Sequence, residues 1–347
     1  MKAIVIYYSV SGSTRKIAQA IHKGMQGLVD QCDIVALRGA GGVPGMKIGR
    51  LLEYDLVGLG APIWRSTMTP NMMDFINIVP TRERQFLYNN NFEKAFSPAE
   101  DQHYFFFITH GKSPGPAVER AWKAMKARGL TVIGWNDWYG NAQMAYAEIP
   151  WQTEGHPDDI ALQEAEEFGR QMVERSRRIS RGEVGLIPEL PTGKEYLEIY
   201  GPSFNPDTYA KWIKHHYGIK IDQGKCTRCG ICEENCPMGA IDLDAAEPIL
   251  PNCMYCTTCE LVCPVGAVDI NLAGVKQDRG STPEEIYAKG QELHKIFEER
   301  QKGFRPDKRC RLHVNTKDLF TKGYVGDLPE HPRVVIPVQA WKETKKA

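Results

Sequence analysis

Eight of the ten cysteines fall between Cys226 and Pro264, in two copies of one pattern, C-x-x-C-x-x-C-x-x-x-C-P. Cys226, Cys229, Cys232, Cys236 and Pro237 recur 27 positions later as Cys253, Cys256, Cys259, Cys263 and Pro264. The register continues beyond the prolines, where Met238-Gly239-Ala240-Ile241-Asp242 is matched by Val265-Gly266-Ala267-Val268-Asp269. Such a stretch has to fold as tight loops that gather soft sulfur donors, twice over.

The spacing suits a four-iron cube, which needs thiolates converging from several directions. Two-residue gaps set three sulfurs on one loop around a cube, whereas the fourth, followed by proline, points away and serves the other cluster. This assigns Cys226, Cys229, Cys232 and Cys263 to one 4Fe-4S cluster, and Cys253, Cys256, Cys259 and Cys236 to a second. Zinc and disulfides are the alternatives. Zinc sites favour C-x-x-C pairs at longer separation, and disulfide frameworks belong to small secreted domains. Residues 218–274 resemble the bacterial two-cluster ferredoxins, and the resemblance implies a small α+β domain with two 4Fe-4S clusters.

At the other end, Lys2 to Tyr8 is an apolar run of strand length. Ser9-Val10-Ser11-Gly12-Ser13-Thr14 follows, and then a helical pattern begins. Hydroxyls and backbone N–H groups at a helix start make an anion site that the helix dipole favours. The loop has neither the lysine of a Walker motif nor a G-x-G-x-x-G, which argues against nucleotide hydrolysis and NAD. It resembles the phosphate loop of flavodoxins, with Ser9, Ser11, Gly12 and Thr14 matching hydroxyl, hydroxyl, glycine and threonine in order and Ser13 between. An ordinary Ser-rich turn is the alternative, which the downstream features disfavour.

Further strands are expected at residues 33–37, 55–60, 103–109 and 130–135, and helices near 14–27, 70–79, 116–128 and 158–181. This alternation predicts a parallel sheet covered on both faces, with ligands beyond the carboxyl ends of the strands. The resemblance to flavodoxins covers about residues 1–180 and implies a doubly wound sheet of five strands with bound FMN. On that resemblance, loops holding Pro62, Ile63 and Trp64, and Thr109, His110, Gly111 and Gly115, flank the flavin ring. Trp64 is a candidate for stacking on the ring or a buried anchor. His110 either meets the flavin or matters only through its backbone, since the sequence shows no partner for it. Tyr139, Asn141 and Gln143 are further candidates for the flavin's edge. Residues 81–102 read as a long polar connection.

Residues 182–217 read as a linker, rich in Gly and Pro at its start, and an aromatic packing segment with too few basic residues to follow a nucleic acid. Three basic residues stand against eight acidic in 218–274, and sixteen basic against eleven acidic in 275–347. The basic tail, with a helix expected over 283–302, is therefore suited to wrapping the acidic module or a second subunit; a solvated terminus is the alternative. Cys32 reads as a small buried hydrophobe; Cys310, between two arginines, has a setting that lowers a thiol's pKa, yet it reads as inert, with a reactive thiol as the alternative. Zero net charge, no apolar run of spanning length and oxygen-labile ligands point to a cytoplasmic protein that binds neither membrane nor nucleic acid.

The order 1–181, 182–217, 218–274 and 275–347 resembles the flavodoxin-ferredoxin fusion proteins of anaerobic bacteria and archaea. That resemblance implies electron relay between an external low-potential carrier, the clusters, FMN and a partner redox protein. An FMN-dependent reductase fed by the clusters and a redox-sensing scaffold are the alternatives, and a homodimer is compatible with each.

Overall fold

The computed structural model describes residues 1–9, 11–37, 47–64, 67–90, 95–111, 114, 116–140, 156–189, 218–253 and 255–271. These fall in two compact units, one up to Glu189 and one from Gly218 on. The linker, the tail and Cys310 lie outside the described residues.

The first unit alternates strand and helix. Its elements are β1 (Lys2–Tyr7), α1 (Ser13–Met25), β2 (Gln31–Ala36), β3 (Leu56–Trp64), β4 (Thr67–Met68), α2 (Pro70–Ile78), α3 (Arg82–Asn90), β5 (His103–His110), α4 (Ala117–Ala127), β6 (Thr131–Tyr139) and α5 (Asp159–Ser180). Five strands pair in parallel in the order β2-β1-β3-β5-β6, and β4 adds a short antiparallel partner to β3. This is the flavodoxin-like doubly wound order, in which the sheet grows outward from β1 in both directions and leaves a crevice beyond β1 and β3.

Apolar residues on both faces of the strands explain why each face carries helices. Ile4, Ile6, Val57, Leu59, Tyr104 and Phe106 pack in one layer, which also holds Met72, Phe75, Val118 and Ala121 from α2 and α4. Ala3, Val5, Phe105 and Phe107 face the other layer, with Ile17 and Ile21 of α1 and Ala165 and Met172 of α5. Full burial of each Ile, Phe or Met contributes about 1.5–3 kcal/mol. Gly58 and Gly60 of β3 sit directly opposite Phe105 and Phe107, whose rings occupy the space where glycine side chains would stand.

Three differences from the sequence reading bear on the site. First, β3 does not stop at Gly60 but runs through Pro62 and Ile63 to Trp64, because Ile63 and Trp64 pair with Met68 and Thr67 of β4. Pro62 lies past the last β1 pairing, Tyr7 with Gly60, so its missing N–H falls where the strand has lost one neighbour. Second, β6 continues to Tyr139, so Tyr139 ends a strand instead of lying in a loop. Third, the 81–102 connection contains α3, started by the Thr81 hydroxyl, which accepts from Arg84 N at 3.3 Å.

In the second unit, β7 (Gly218–Ile221) pairs antiparallel with β8 (Val268–Asn271), and α6 (Ile231–Asn235) and α7 (Thr258–Val262) lie between them in sequence. The two short helices start 27 residues apart and are equal in length.

Candidate functional site

The carboxyl ends of β1, β5 and β6 bring the first group of expected residues together. Gly12, at the N-cap of α1, has φ 88°, a left-handed conformation that glycine adopts without strain. No side chain caps α1 and no acidic residue lies in its first turn. The N–H groups that any helix start leaves without intrahelical partners thus have no acidic side chain of their own first turn beside them. Ser11 and Ser13 bring their hydroxyls within 3.3 Å of each other, and the Thr14 hydroxyl bonds that of Thr109 at 2.7 Å. Ser9 Oγ is buried with no hydrogen-bond partner among the described residues. A buried, unsatisfied hydroxyl costs about 1–3 kcal/mol unless a ligand completes it.

Two residues that the sequence reading passed over shape this cradle. Gly140 closes against it: a β-carbon there would stand 2.9 Å from Ser13 Cβ and 3.4 Å from Thr109 Cβ. Asp137 supplies the partner that His110 lacked in the sequence, its carboxylate lying 3.0 Å from His110 Nε2 with both side chains buried. The ring of His110 also meets the edge of Tyr139, 5.0 Å between centroids. His110 therefore ends β5 with its side chain anchored, instead of lying in a loop. Only its spacing in three dimensions reveals the pair, because 27 residues separate the two partners.

Pro62, Ile63 and Trp64 are half-buried at the end of β3. Ile63 packs on the α2 and α4 layer, so strand alternation assigns Trp64 to the α1 side, the face of the Ser9–Thr14 loop. Gly111 follows His110 directly, whereas Gly115, Asn141 and Gln143 lie outside the described residues.

The cysteine loops repeat in backbone as well as in sequence. Positive φ occurs at Arg228 (54°) and Tyr255 (56°), at Gly230 (75°) and Thr257 (61°), and at Gly239 (56°) and Gly266 (61°), each pair 27 residues apart. Backbone N–H groups point at the same sulfurs in both copies. Arg228 N donates to Cys226 Sγ and Tyr255 N to Cys253 Sγ at 3.4 and 3.3 Å; Ala240 N and Ala267 N donate to Cys236 Sγ and Cys263 Sγ at 3.1 and 3.2 Å. Oriented N–H donors of this kind stabilise sulfur that carries negative charge.

The thiols also influence one another across the motifs. Burial pushes Cys232 up to about 11, and the nearby Cys229 and Cys263 add to the shift. Burial pushes Cys256 up to about 12, opposed by hydrogen bonds from Thr258 and reinforced by Cys236 and Cys253. Cys259 is raised by burial and by Cys256, Cys253, Cys236 and, last, Cys232. The fourth cysteine of each motif thus lies in the field of the other motif's sulfurs. All nine described cysteines are free of disulfides. Among the described residues no three His, Cys, Asp or Glu side chains gather closely enough for a single metal ion. Cys32, in contrast, lies within β2, packs on the core and is raised to about 11 by burial and then by Asp33.

Comparison with known proteins agrees with this division. The flavodoxin domain family matches residues 4–85, and the 4Fe-4S binding domain family matches residues 219–242, the first of the two cysteine copies. Similar solved structures include a flavodoxin from the domain Archaea, 23% identical, which covers 51% of this chain and 99% of its own length with a TM-score of 0.35. A WrbA-like flavodoxin from Agrobacterium tumefaciens is 14% identical over 51% of this chain and 98% of its own, also at 0.35. Flavodoxin 1 from Bacillus cereus is 15% identical over 50% and 98%, at 0.33. The strand order and register, and not these scores, establish the fold. No curated protein matches. The chain thus carries a flavodoxin domain followed by a 4Fe-4S domain, the arrangement of a flavodoxin-ferredoxin fusion.

Proposed function

We propose that this protein is an electron relay in which FMN and two 4Fe-4S clusters on one chain pass electrons to or from a partner redox protein. The observation that carries the reading is the 27-residue repeat of backbone and N–H···S geometry, joined in one chain to a phosphate-type cradle. Cys226, Cys229, Cys232 and Cys263 hold one cluster and Cys253, Cys256, Cys259 and Cys236 the other, as the spacing of the two motifs implies. Ser9, Ser11, Ser13, Thr14 and the N–H groups at Gly12 hold the phosphate, with Thr109 and Gly140 bracing the loop. Trp64, His110 and Gly111 border the ring, and Asp137 fixes the imidazole of His110. Clusters exchange one electron at a time and FMN one or two, so the pair converts between the two kinds of carrier.

The direct test is anaerobic stopped-flow mixing of the loaded protein with a one-electron reductant, followed at flavin and iron–sulfur wavelengths. The relay predicts that flavin reduction slows in Cys253→Ser and that oxidation needs a protein acceptor. Steady turnover of a quinone, aldehyde or thioester without any protein acceptor would replace the relay by a reductase.

A further inference from the structure

The two cysteine copies differ in residues that lie between their ligands, and one of these differences changes the hydrogen-bond donors beside the sulfurs. Between its second and third cysteines the first copy has Gly230-Ile231, and the second has Thr257-Thr258. Gly230 takes its positive φ of 75° freely, whereas Thr257 is β-branched and holds φ 61°. A non-glycine residue in that region costs about 1–3 kcal/mol and persists where the surroundings require it. Helix capping does not account for the threonine. Thr257-x-x-Glu260 has the sequence of a capping box, yet the Thr257 side chain makes no cap hydrogen bond, because a capping residue needs extended backbone.

Thr257 is 1% exposed, and its hydroxyl is buried with no partner among the described residues. The neighbouring Thr258 hydroxyl lies 3.2 Å from Cys256 Sγ. A metal-bound thiolate can only accept, so in the loaded protein Thr258 donates to that sulfur. Isoleucine stands at the equivalent position of the first copy and offers no donor.

We propose that Thr257 and Thr258 set the reduction potential of the second site: both hydroxyls donate into the group that Cys253, Cys256, Cys259 and Cys236 hold, and neither donor exists at the first site. This rests on the cluster assignment above. One electron from an added reductant makes the centre more negative, and hydrogen bonds to its sulfurs favour that state, so they raise the potential. Removal of one donor lowers the equilibrium constant for reduction about tenfold, which for a one-electron couple is about 59 mV.

Anaerobic potentiometric titration of the full, loaded chain, read by electron paramagnetic resonance, tests this with Thr258→Val, Thr257→Gly and Thr257→Ser. The wave that belongs to the second site is the one lost in Cys253→Ser. Thr258→Val and Thr257→Gly should each move that wave down about tenfold and leave the other in place, while Thr257→Ser keeps the wild-type value. Unmoved waves, or both waves shifted equally, overturn the proposal. Iron and sulfide content measured on the same wild-type sample reports separately on the cluster assignment.

Discussion

Replacement of Gly140 by alanine tests the proposed phosphate cradle apart from the proposed flavin-ring contacts. The added methyl would lie 2.9 Å from Ser13 Cβ and 3.3 Å from Ser13 Oγ. Ordinary carbon contacts need about 3.5–4.0 Å, so the start of α1 must move away from the end of β6 by several tenths of an ångström. Ser13 is the first residue of α1, and the contact is with its β-carbon, so a rotamer change does not relieve it. Overpacking of this size costs about 1–3 kcal/mol, and misplaced hydrogen bonds to a charged group cost about 1.5–3 kcal/mol. At 1.4 kcal/mol per factor of ten, FMN affinity should fall about 10- to 100-fold. Titration of the apoprotein by flavin fluorescence quenching measures it. Riboflavin, which has no phosphate, should bind Gly140→Ala and wild type alike, and Gly185→Ala, with open space around it, should change nothing. An unchanged FMN affinity, or an equal loss for riboflavin, would refute the placement of the phosphate.

Three further outcomes are expected. Cys263→Ser should remove the same spectroscopic centre as Cys226→Ser, and Cys236→Ser the same as Cys253→Ser; loss sorted by motif instead would contradict the exchange of fourth ligands. Gly169→Ala should lower stability by about 3 kcal/mol, or about 6–12 °C in melting temperature, because its methyl would meet the Ile21 carbonyl of α1 at 2.3 Å; a melting curve within 2 °C of wild type, roughly the scale of 0.5–1 kcal/mol, would show that the helices separate easily. Burial holds the His103 imidazole below its ordinary range, against the pull of the Pro98 carbonyl. The unfolded chain therefore takes up the proton first, so stability is present above about pH 6.5 and falls as pH drops through the folded value. Thermal melts of His103→Gln between pH 7 and 5 should show a shallower acid loss than wild type.

The apolar runs of β1, β3 and β5 made the parallel sheet legible, since strands buried on both faces leave no other pattern. Their ends were harder to read. Pro62 looks like a stop in sequence, but it falls where β1 no longer pairs, and β4 folds back to extend the strand. Asn136 and Asp137 look like a turn, yet Asp137 is buried against His110, a partner that only the sheet brings near. The helix α3 has no buried residue and so no apolar stripe to reveal it. In the second unit the cysteine spacing made the 27-residue repeat legible, whereas the left-handed backbone at Thr257 was hidden because threonine there contradicts local preference.

The most direct measurement is iron, acid-labile sulfide and flavin analysis of protein isolated without oxygen. The account predicts about eight irons, eight sulfides and one FMN per chain. Colourless protein, or zinc bound at the cysteines in place of iron, would contradict it.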